Sequence, residues 1–361
     1  MNPNTHRLAA LDFGRGLAVF LMMLVHTLWM YADKTTQGES LLGYVVHFIG
    51  KGTASFLIIM GMSFMLSSRQ SLSSALKRGM LILLFAFFMN LLKFVVPISV
   101  FGTMPQEFIA AYGWSSPLNL SQLLYLTLTG DILQLAGVSL FFLALIRHYV
   151  KNKYGILFIA IAILAVSREV SGYRVGIEGL DYLCDLLFSA NYHIYFPVFP
   201  WISFILFGMF MGMLIKEQDG NPGKLYKKLP WASALTMMIG GSLCYLNFDY
   251  HFGNFFHLGP GGVIYLLGIN LGLLWIIHLI VNSGASNWMM DGLYYLSKRV
   301  TSMYIIQWVL VCWGMGVVGF QSLNTLETLA MMPVIVALSI SVQKALDWAM
   351  TFRASQRLVA E

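Results

Sequence analysis

The chain has 361 residues, of which 58% are hydrophobic and only 11% are charged, and its mean hydropathy is +0.72. Soluble domains carry charges on about a quarter of their residues, so this composition excludes a soluble protein and indicates a polytopic membrane protein whose main partner is the lipid bilayer. The net charge of +6 requires no nucleic acid partner, because basic loops on one side of a membrane account for it.

Apolar stretches of about 17–25 residues, the length that crosses a bilayer core, recur along the chain. The predicted fold class is all-α: a bundle of about ten transmembrane helices that forms a single domain over 1–361. The spans are expected at 11–31, 48–67, 79–98, 132–147, 154–167, 195–215, 230–247, 260–281, 300–320 and 328–349. The fifth span is short, and 99–130 has room for an interfacial helix.

Lysine and arginine concentrate in alternate loops between these spans. They follow the second, fourth, sixth and tenth spans and precede the ninth: Arg69, Lys77, Arg78, Arg147, Lys151, Lys153, Lys216, Lys224, Lys227, Lys228, Lys298, Arg299, Arg353 and Arg357. Basic residues in short loops stay in the cytoplasm, so we expect these loops and both termini to be cytoplasmic. The first span is not expected to be a cleaved signal peptide, because it lacks a small-residue cleavage site.

The first span contains three ionisable side chains, Asp12, Arg15 and His26. Arg15 and His26 are nearly in register on a helix, about 16 Å apart along its axis, and Asp12 is placed to pair with Arg15. Charge in hydrocarbon costs several kcal/mol, so this face should point into the bundle or a wet cavity. Two interpretations stay open: a structural ion pair with a core histidine, or a functional site.

Other chemical motifs are weak or missing from the sequence. Cys184, Cys244 and Cys312 show neither metal spacing nor a disulfide pattern, so they are expected to be apolar filler. No phosphate-binding loop, dinucleotide fingerprint or GxSxG elbow occurs, which leaves an ATPase or a lipase without support. Gly208 and Gly212 form a small-residue face that is typical of helix packing.

Six residues of the N-terminal region form one pattern, Arg7-x3-Leu11-Asp12-x2-Arg15-Gly16-x9-His26. This pattern resembles the opening helix of the transmembrane acyltransferase superfamily, which includes the bacterial acyltransferase 3-like proteins and the heparan-alpha-glucosaminide N-acetyltransferase-like proteins. Four later stretches are similar to helices of the same superfamily, in the same order: 52–67, 130–145, 196–212 and 296–307. The resemblance therefore extends along the whole chain.

The sequence departs from the family pattern at two places. Ser297 stands where a glycine is usual. A histidine after the first helix is implicated in acetyl transfer in the heparan-type branch, and here the corresponding outer loop has no histidine before His47. Whether His26, His47 or both carry the chemistry is left open, as is the choice between direct transfer and an acyl-histidine intermediate.

The resemblance implies an integral membrane acyltransferase, expected in a bacterial inner membrane. It would move an acyl group, most simply acetyl from cytoplasmic acetyl-CoA, to a hydroxyl or amine of an extracytoplasmic sugar or glycan. His26 and Asp12 are the predicted catalytic residues. Imidazole titrates near neutral pH and suits a general base, which is the role expected of His26. Asp12 would orient Arg15. Arg15 and Arg7 would bind the acyl-CoA. No metal is expected, and a homodimer is left open.

Six polar or aromatic residues are candidates for substrate binding: His47, Asp131, Gln134, Trp201, Tyr304 and Gln307. Each has a structural alternative. Asp131 can be a helix N-cap, Trp201 can be an interfacial anchor beside a helix irregularity at Pro200, and Gln307 can bridge two helices.

A secondary transporter without covalent chemistry is the alternative function, since ionisable groups inside a membrane also suit a transport pathway. Transporters often contain internal repeats with paired broken helices. We find no self-similar halves in the sequence, which favours the acyltransferase.

Overall fold

A computed structural model describes residues 8–177, 179–283 and 288–360, with side chains to 352. Within these ranges the chain is helical and contains no strand, only two isolated bridges. The predicted all-α fold class is therefore confirmed.

The helices differ widely in length, and one of them is a π-helix that continues directly from an α-helix. In chain order they are α1 (Ala9–Tyr31), α2 (Lys34–Glu39), α3 (Leu41–Gly50), α4 (Thr53–Leu66), α5 (Leu72–Asn90), the π-helix π1 (Leu91–Val100), α6 (Gln106–Ala110), α7 (Leu120–Thr127), α8 (Ile132–Tyr149), α9 (Lys153–Val166), α10 (Leu180–Phe188), α11 (Val198–Lys216), α12 (Gly223–Leu246), α13 (Phe248–His251), α14 (Pro260–Asn282), α15 (Trp288–Ser297), α16 (Val300–Val318) and α17 (Thr325–Ala360).

Nine segments in the described part of the chain are long and apolar enough to cross a membrane, counting α3 with α4 and α5 with π1 as one segment each. The fifth predicted span forms α9, which has only 14 residues and at 1.5 Å per residue is about 21 Å long, less than a bilayer core. The expected ten spans are thus nine long segments and one short apolar helix. The cytoplasmic placement of both termini stays a prediction.

The described residues group into two compact units, and the single domain over 1–361 stays a prediction. The first unit consists of Met1–Ala18, Lys51–Phe87 and Leu128–Asp291. The second consists of Val19–Gly50, Phe88–Thr127 and Gly292–Glu361. Helix α1 begins in the first unit and continues into the second.

In the first unit, α4 and α11 approach each other closely at glycines. A Cβ on Gly61 would lie 1.9 Å from a carbonyl oxygen of α11, and one on Gly208 would lie 2.0 Å from a carbonyl oxygen of α4. A Cβ on Gly212 would lie 2.7 Å from the Cβ of Met65. Small residues let helix backbones touch where apolar burial gives little driving force, so the predicted packing role of Gly208 and Gly212 is confirmed.

Helix α11 is irregular near its start. Phe199 has φ −93° and ψ 122°, because the proline ring at Pro200 disfavours helical dihedrals in the preceding residue. The predicted helix irregularity is confirmed, and it lies at Phe199, one residue before Pro200. Trp201 is 0% exposed, and its indole N–H donates to the carbonyl of Phe256 at 2.8 Å. The interfacial-anchor alternative is therefore wrong, since a completely buried indole cannot anchor at a membrane surface.

In the second unit an apolar cluster holds α1, α3 and α17 together. Its members are Val25, Leu28, Ala32, Val46 and Met332. This packing fixes the C-terminal half of α1, which carries His26.

The π-helix π1 follows from Pro97. Proline has no N–H for the carbonyl of Lys93, four residues earlier, which would be its partner in an α-helix. The chain instead uses wider bonds, such as that from the Phe101 N–H to the Val96 carbonyl at 3.2 Å. Lys93, Phe94 and Pro97 are buried in this segment.

Candidate active site

The first turns of α1 carry the ion pair that the sequence predicts. The guanidinium of Arg15 donates to the carboxylate of Asp12, three residues earlier. The Asp12 side chain is buried, whereas that of Arg15 keeps 29% of its surface exposed. The buried Nε of Arg15 has no hydrogen-bond partner among the described residues, so a donor remains for an anionic group. Arg7 lies outside the described residues.

His26 lies further along α1 and is buried, with 7% of its surface exposed. Its Nδ1 is 3.0 Å from Oε1 of Gln307 on α16. The amide nitrogen of Gln307 donates to the carbonyl of Tyr304 at 3.2 Å, which assigns the amide orientation. Because Oε1 can only accept, Nδ1 of His26 carries the proton. Nε2 is then the basic nitrogen of the neutral ring, as a general base requires.

Aromatic rings surround His26. Trp308 stacks on the imidazole, with ring centroids 3.9 Å apart and planes 24° apart. Tyr304 meets it edge-on at 6.1 Å, and Trp29 lies at 5.8 Å. Tyr304 and Trp308 are buried, and Gln307 is 0% exposed. In such an apolar surrounding a hydrogen bond is electrostatically stronger than in water, so the bond to Gln307 holds the ring firmly.

A lysine completes this cluster. Lys93, on π1, is only 2% exposed although it lies within a membrane-spanning segment. Its ammonium is 4.5 Å from the ring centroid of Trp308 and 4.6 Å from that of Phe94. Aromatic faces attract cations at these distances. Lys93 therefore touches the same indole that stacks on His26.

Sequence reasoning missed Lys93 and Trp308. The signal for Lys93 was present, because an ionisable residue inside an apolar span is a functional candidate by default, and Pro97 follows it by four residues. Trp308 gave no local signal, since a tryptophan in an apolar helix is ordinary. Of the predicted residues, this cluster brings together His26, Tyr304 and Gln307.

Asp131 and Gln134 cap the N-terminus of α8. The Asp131 carboxylate accepts from the N–H of Ile132 at 2.8 Å, and the Gln134 side chain accepts from the N–H of Asp131 at 3.0 Å, as in a capping box. The Gln134 amide also donates to the carbonyl of Thr129 at 3.1 Å. These contacts match the N-cap alternative, and the substrate-binding role of both residues stays a prediction.

The remaining predicted residues differ in exposure. His47 is exposed on α3, unlike His26. Trp201 has no exposed surface that could stack on a substrate. The substrate-binding roles of His47, Trp201, Tyr304 and Gln307 stay predictions. Within the described ranges, no three His, Cys, Asp or Glu side chains are grouped as metal ligands.

Comparison with known proteins places the chain in a family. The family model described as "Heparan-alpha-glucosaminide N-acetyltransferase, catalytic" matches residues 7–250, more than half of the chain. No curated protein matches the chain. The matched part includes His26 and Lys93, whereas Gln307 and Trp308 lie beyond it. This chain, with its series of apolar spanning helices, belongs to the heparan-alpha-glucosaminide N-acetyltransferase catalytic family.

Proposed function

We propose that the protein is an integral membrane acetyltransferase that moves the acetyl group of acetyl-CoA to a hydroxyl or amine of a sugar. The observation that carries the proposal is the buried hydrogen bond between His26 and Gln307, which leaves Nε2 of His26 as a base in an apolar cluster. The family supports it, because its members use acetyl-CoA as the donor in general.

His26 is the general base in this proposal. Nε2 takes the proton from the acceptor hydroxyl or amine as that group attacks the thioester carbonyl. The same nitrogen then returns the proton to the sulfur of the departing CoA. Gln307 is a positioning residue, because it holds Nδ1 protonated and fixes the ring without touching the substrate. Tyr304 positions Gln307 by accepting its amide N–H.

Arg15 is the proposed contact for the phosphates of the donor. A guanidinium suits phosphate because it presents several N–H groups in a planar fork. Asp12 pairs with Arg15 and orients it, and the partly exposed side chain keeps a buried Nε without a partner among the described residues. Arg7 is proposed for the same role from the sequence pattern alone.

The membrane sides follow from the distribution of basic loops. We infer a donor on the cytoplasmic side and a sugar or glycan acceptor on the other side, in the inner membrane of a bacterium. His47, Asp131, Gln134 and Trp201 remain proposed acceptor contacts that have less support than His26, because the structure uses Asp131, Gln134 and Trp201 for packing or capping.

Binding and transfer with detergent-purified protein test the proposal. Calorimetric titration with acetyl-CoA should show saturable binding for the wild type and for Arg69→Ala, an exposed loop control, and a large loss for Arg15→Ala. Free CoA thiol should appear when glucosamine is added as the acceptor. A folded wild type that neither binds acetyl-CoA nor releases CoA contradicts the proposal and favours the transporter.

A further inference from the structure

The indole N–H of Trp308 is a polar group of the His26 cluster that the proposed mechanism does not use. Trp308 is 7% exposed, and its Nε1 has no hydrogen-bond partner among the described residues. Trp313 on the same helix differs, because its Nε1 donates to the carbonyl of Leu92 at 2.8 Å. The indole of Trp201 is satisfied in the same way. Buried donors without partners are rare in proteins and call for an explanation, which can be catalytic.

The ammonium of Lys93 contacts the face of that same indole. A charge inside a membrane segment is expensive and marks function by default. Lys93 also lies in a π-helix, a rare conformation that often occurs at functional sites. The indole of Trp308 thus contacts a positive charge and carries an unsatisfied N–H. The imidazole of His26, the proposed base, stacks on the same indole.

A hydrogen-bond donor and a cation that share one indole can together select an oxygen that carries or develops negative charge. Acyl transfer creates such an oxygen next to its base, when the thioester carbonyl is attacked. We propose that the Trp308 N–H and the Lys93 ammonium bind the carbonyl oxygen of the acyl donor and stabilise the oxyanion that forms on it. This inference rests on the proposed acetyl transfer, and it adds two catalytic residues that sequence reasoning missed.

The acyl transfer needs no group beyond the acceptor, acetyl-CoA, His26, Trp308 and Lys93. The acceptor oxygen or nitrogen forms a bond to the carbonyl carbon, its proton goes to Nε2 of His26, and the carbonyl π electrons move to the oxygen held by Trp308 and Lys93. The carbonyl then re-forms, the carbon–sulfur bond breaks, and the thiolate takes the proton from His26. The products are the acetylated acceptor and CoA.

Variants of the two donors test the inference by steady-state kinetics. Trp308→Phe keeps an aromatic ring against His26 and removes the N–H, and Lys93→Met keeps the length of the side chain and removes the charge. We expect each to lower kcat by about 100- to 1000-fold, as removal of an oxyanion donor does in other enzymes, with little change in the KM for acetyl-CoA. Trp313→Phe is the matched control and should keep the wild-type kcat.

A binding comparison separates a catalytic role from a structural one. Acetyldethia-CoA has the carbonyl of the donor, with a methylene in place of the sulfur, and S-ethyl-CoA has no carbonyl. The wild type and Trp313→Phe should bind acetyldethia-CoA more tightly than S-ethyl-CoA. Trp308→Phe and Lys93→Met should lose this preference while they still bind S-ethyl-CoA, which also shows that they are folded.

Two results overturn the inference, and they can be told apart because only the second also contradicts the proposed function. If the wild type transfers acetyl groups and both variants keep its kcat and its preference for the carbonyl analogue, then Trp308 and Lys93 do not bind the carbonyl oxygen and a water satisfies the N–H. If the folded wild type binds neither analogue and transfers nothing, the acetyltransferase proposal fails, and this inference fails with it.

Discussion

The start of α8 and the cluster around His26 both bury polar side chains in a membrane protein, but they use them differently. At α8, the side chains of Asp131 and Gln134 bond to backbone groups within five residues. Around His26, the bonds and ring contacts join α1, π1 and α16, and the indole N–H of Trp308 remains unsatisfied within the described chain.

The difference indicates which polar groups in an apolar surrounding are candidates for chemistry. A helix start exposes backbone N–H groups that need acceptors, so a capping carboxylate is explained by local structure alone. Local structure does not explain an imidazole and a buried ammonium that contact the same indole, because these contacts join three different helices. Substitutions in the two regions test this distinction.

Replacing His26 should have the largest effect. His26→Ala removes the proposed base and should lower acetyl transfer by at least about 100-fold. His47→Ala is the comparison that decides between the two histidines, and it should lower transfer far less than His26→Ala, because His47 is proposed only as an acceptor contact and is exposed on α3. CoA release with glucosamine measures both. The reverse result would move the chemistry to His47.

Gln307→Leu should have the next largest effect. It removes the acceptor of the His26 Nδ1 proton, so the ring can turn or change tautomer. We expect kcat to fall by about 10- to 100-fold, since a misplacement of about 1 Å can cost that much. Acetyl-CoA affinity should stay near that of the wild type. Gln307→Glu keeps an acceptor oxygen and should recover part of the loss, which a purely packing role would not produce.

Asp131→Ala should affect stability and spare chemistry. Loss of an N-cap costs about 0.5–2 kcal/mol of unfolding free energy, and the kcat per folded protein should fall far less than it does in His26→Ala, because Asp131 is proposed at most as an acceptor contact. Asp131→Asn keeps a capping oxygen and should be close to wild type in thermal unfolding. A folded Asp131→Ala protein without transfer activity would put Asp131 in a functional site and remove the contrast with His26.

Acidification should produce the smallest effect, at His257 in the loop before α14. Burial lowers the pKa of His257, with the Arg168 side chain nearby at the His257 carbonyl. The unfolded chain therefore binds more protons than the folded one, and stability falls as pH falls through the ordinary value of about 6.5. In thermal unfolding, His257→Gln should lose less stability than the wild type when the pH is lowered. Some loss should persist, because burial also lowers the pKa of His251.

Much of the fold could be predicted from the sequence, because hydrophobic length is a property of consecutive residues. The span predicted at 300–320 is α16, Val300–Val318, and that at 260–281 is α14, Pro260–Asn282. The break between α3 and α4 lies at 50–53, Gly-Lys-Gly-Thr, and the span predicted at 48–67 ran through it, because a hydropathy window averages over so short a polar stretch. Helix α15 was missed for a different reason, since its ten residues are too few for a search that looks for membrane spans.

Sequence alone was enough to predict the all-α membrane class, the Asp12–Arg15 pair and the N-cap at Asp131. All of these depend on residues within one helix or one turn, where geometry is set by the α-helical repeat. Only the tertiary structure decided that His26 meets Gln307 and Trp308, 281 and 282 positions away in the chain, and that Lys93 reaches the same indole. Helix packing sets such contacts through the shapes of all the side chains between the helices, and no single segment of sequence encodes that shape.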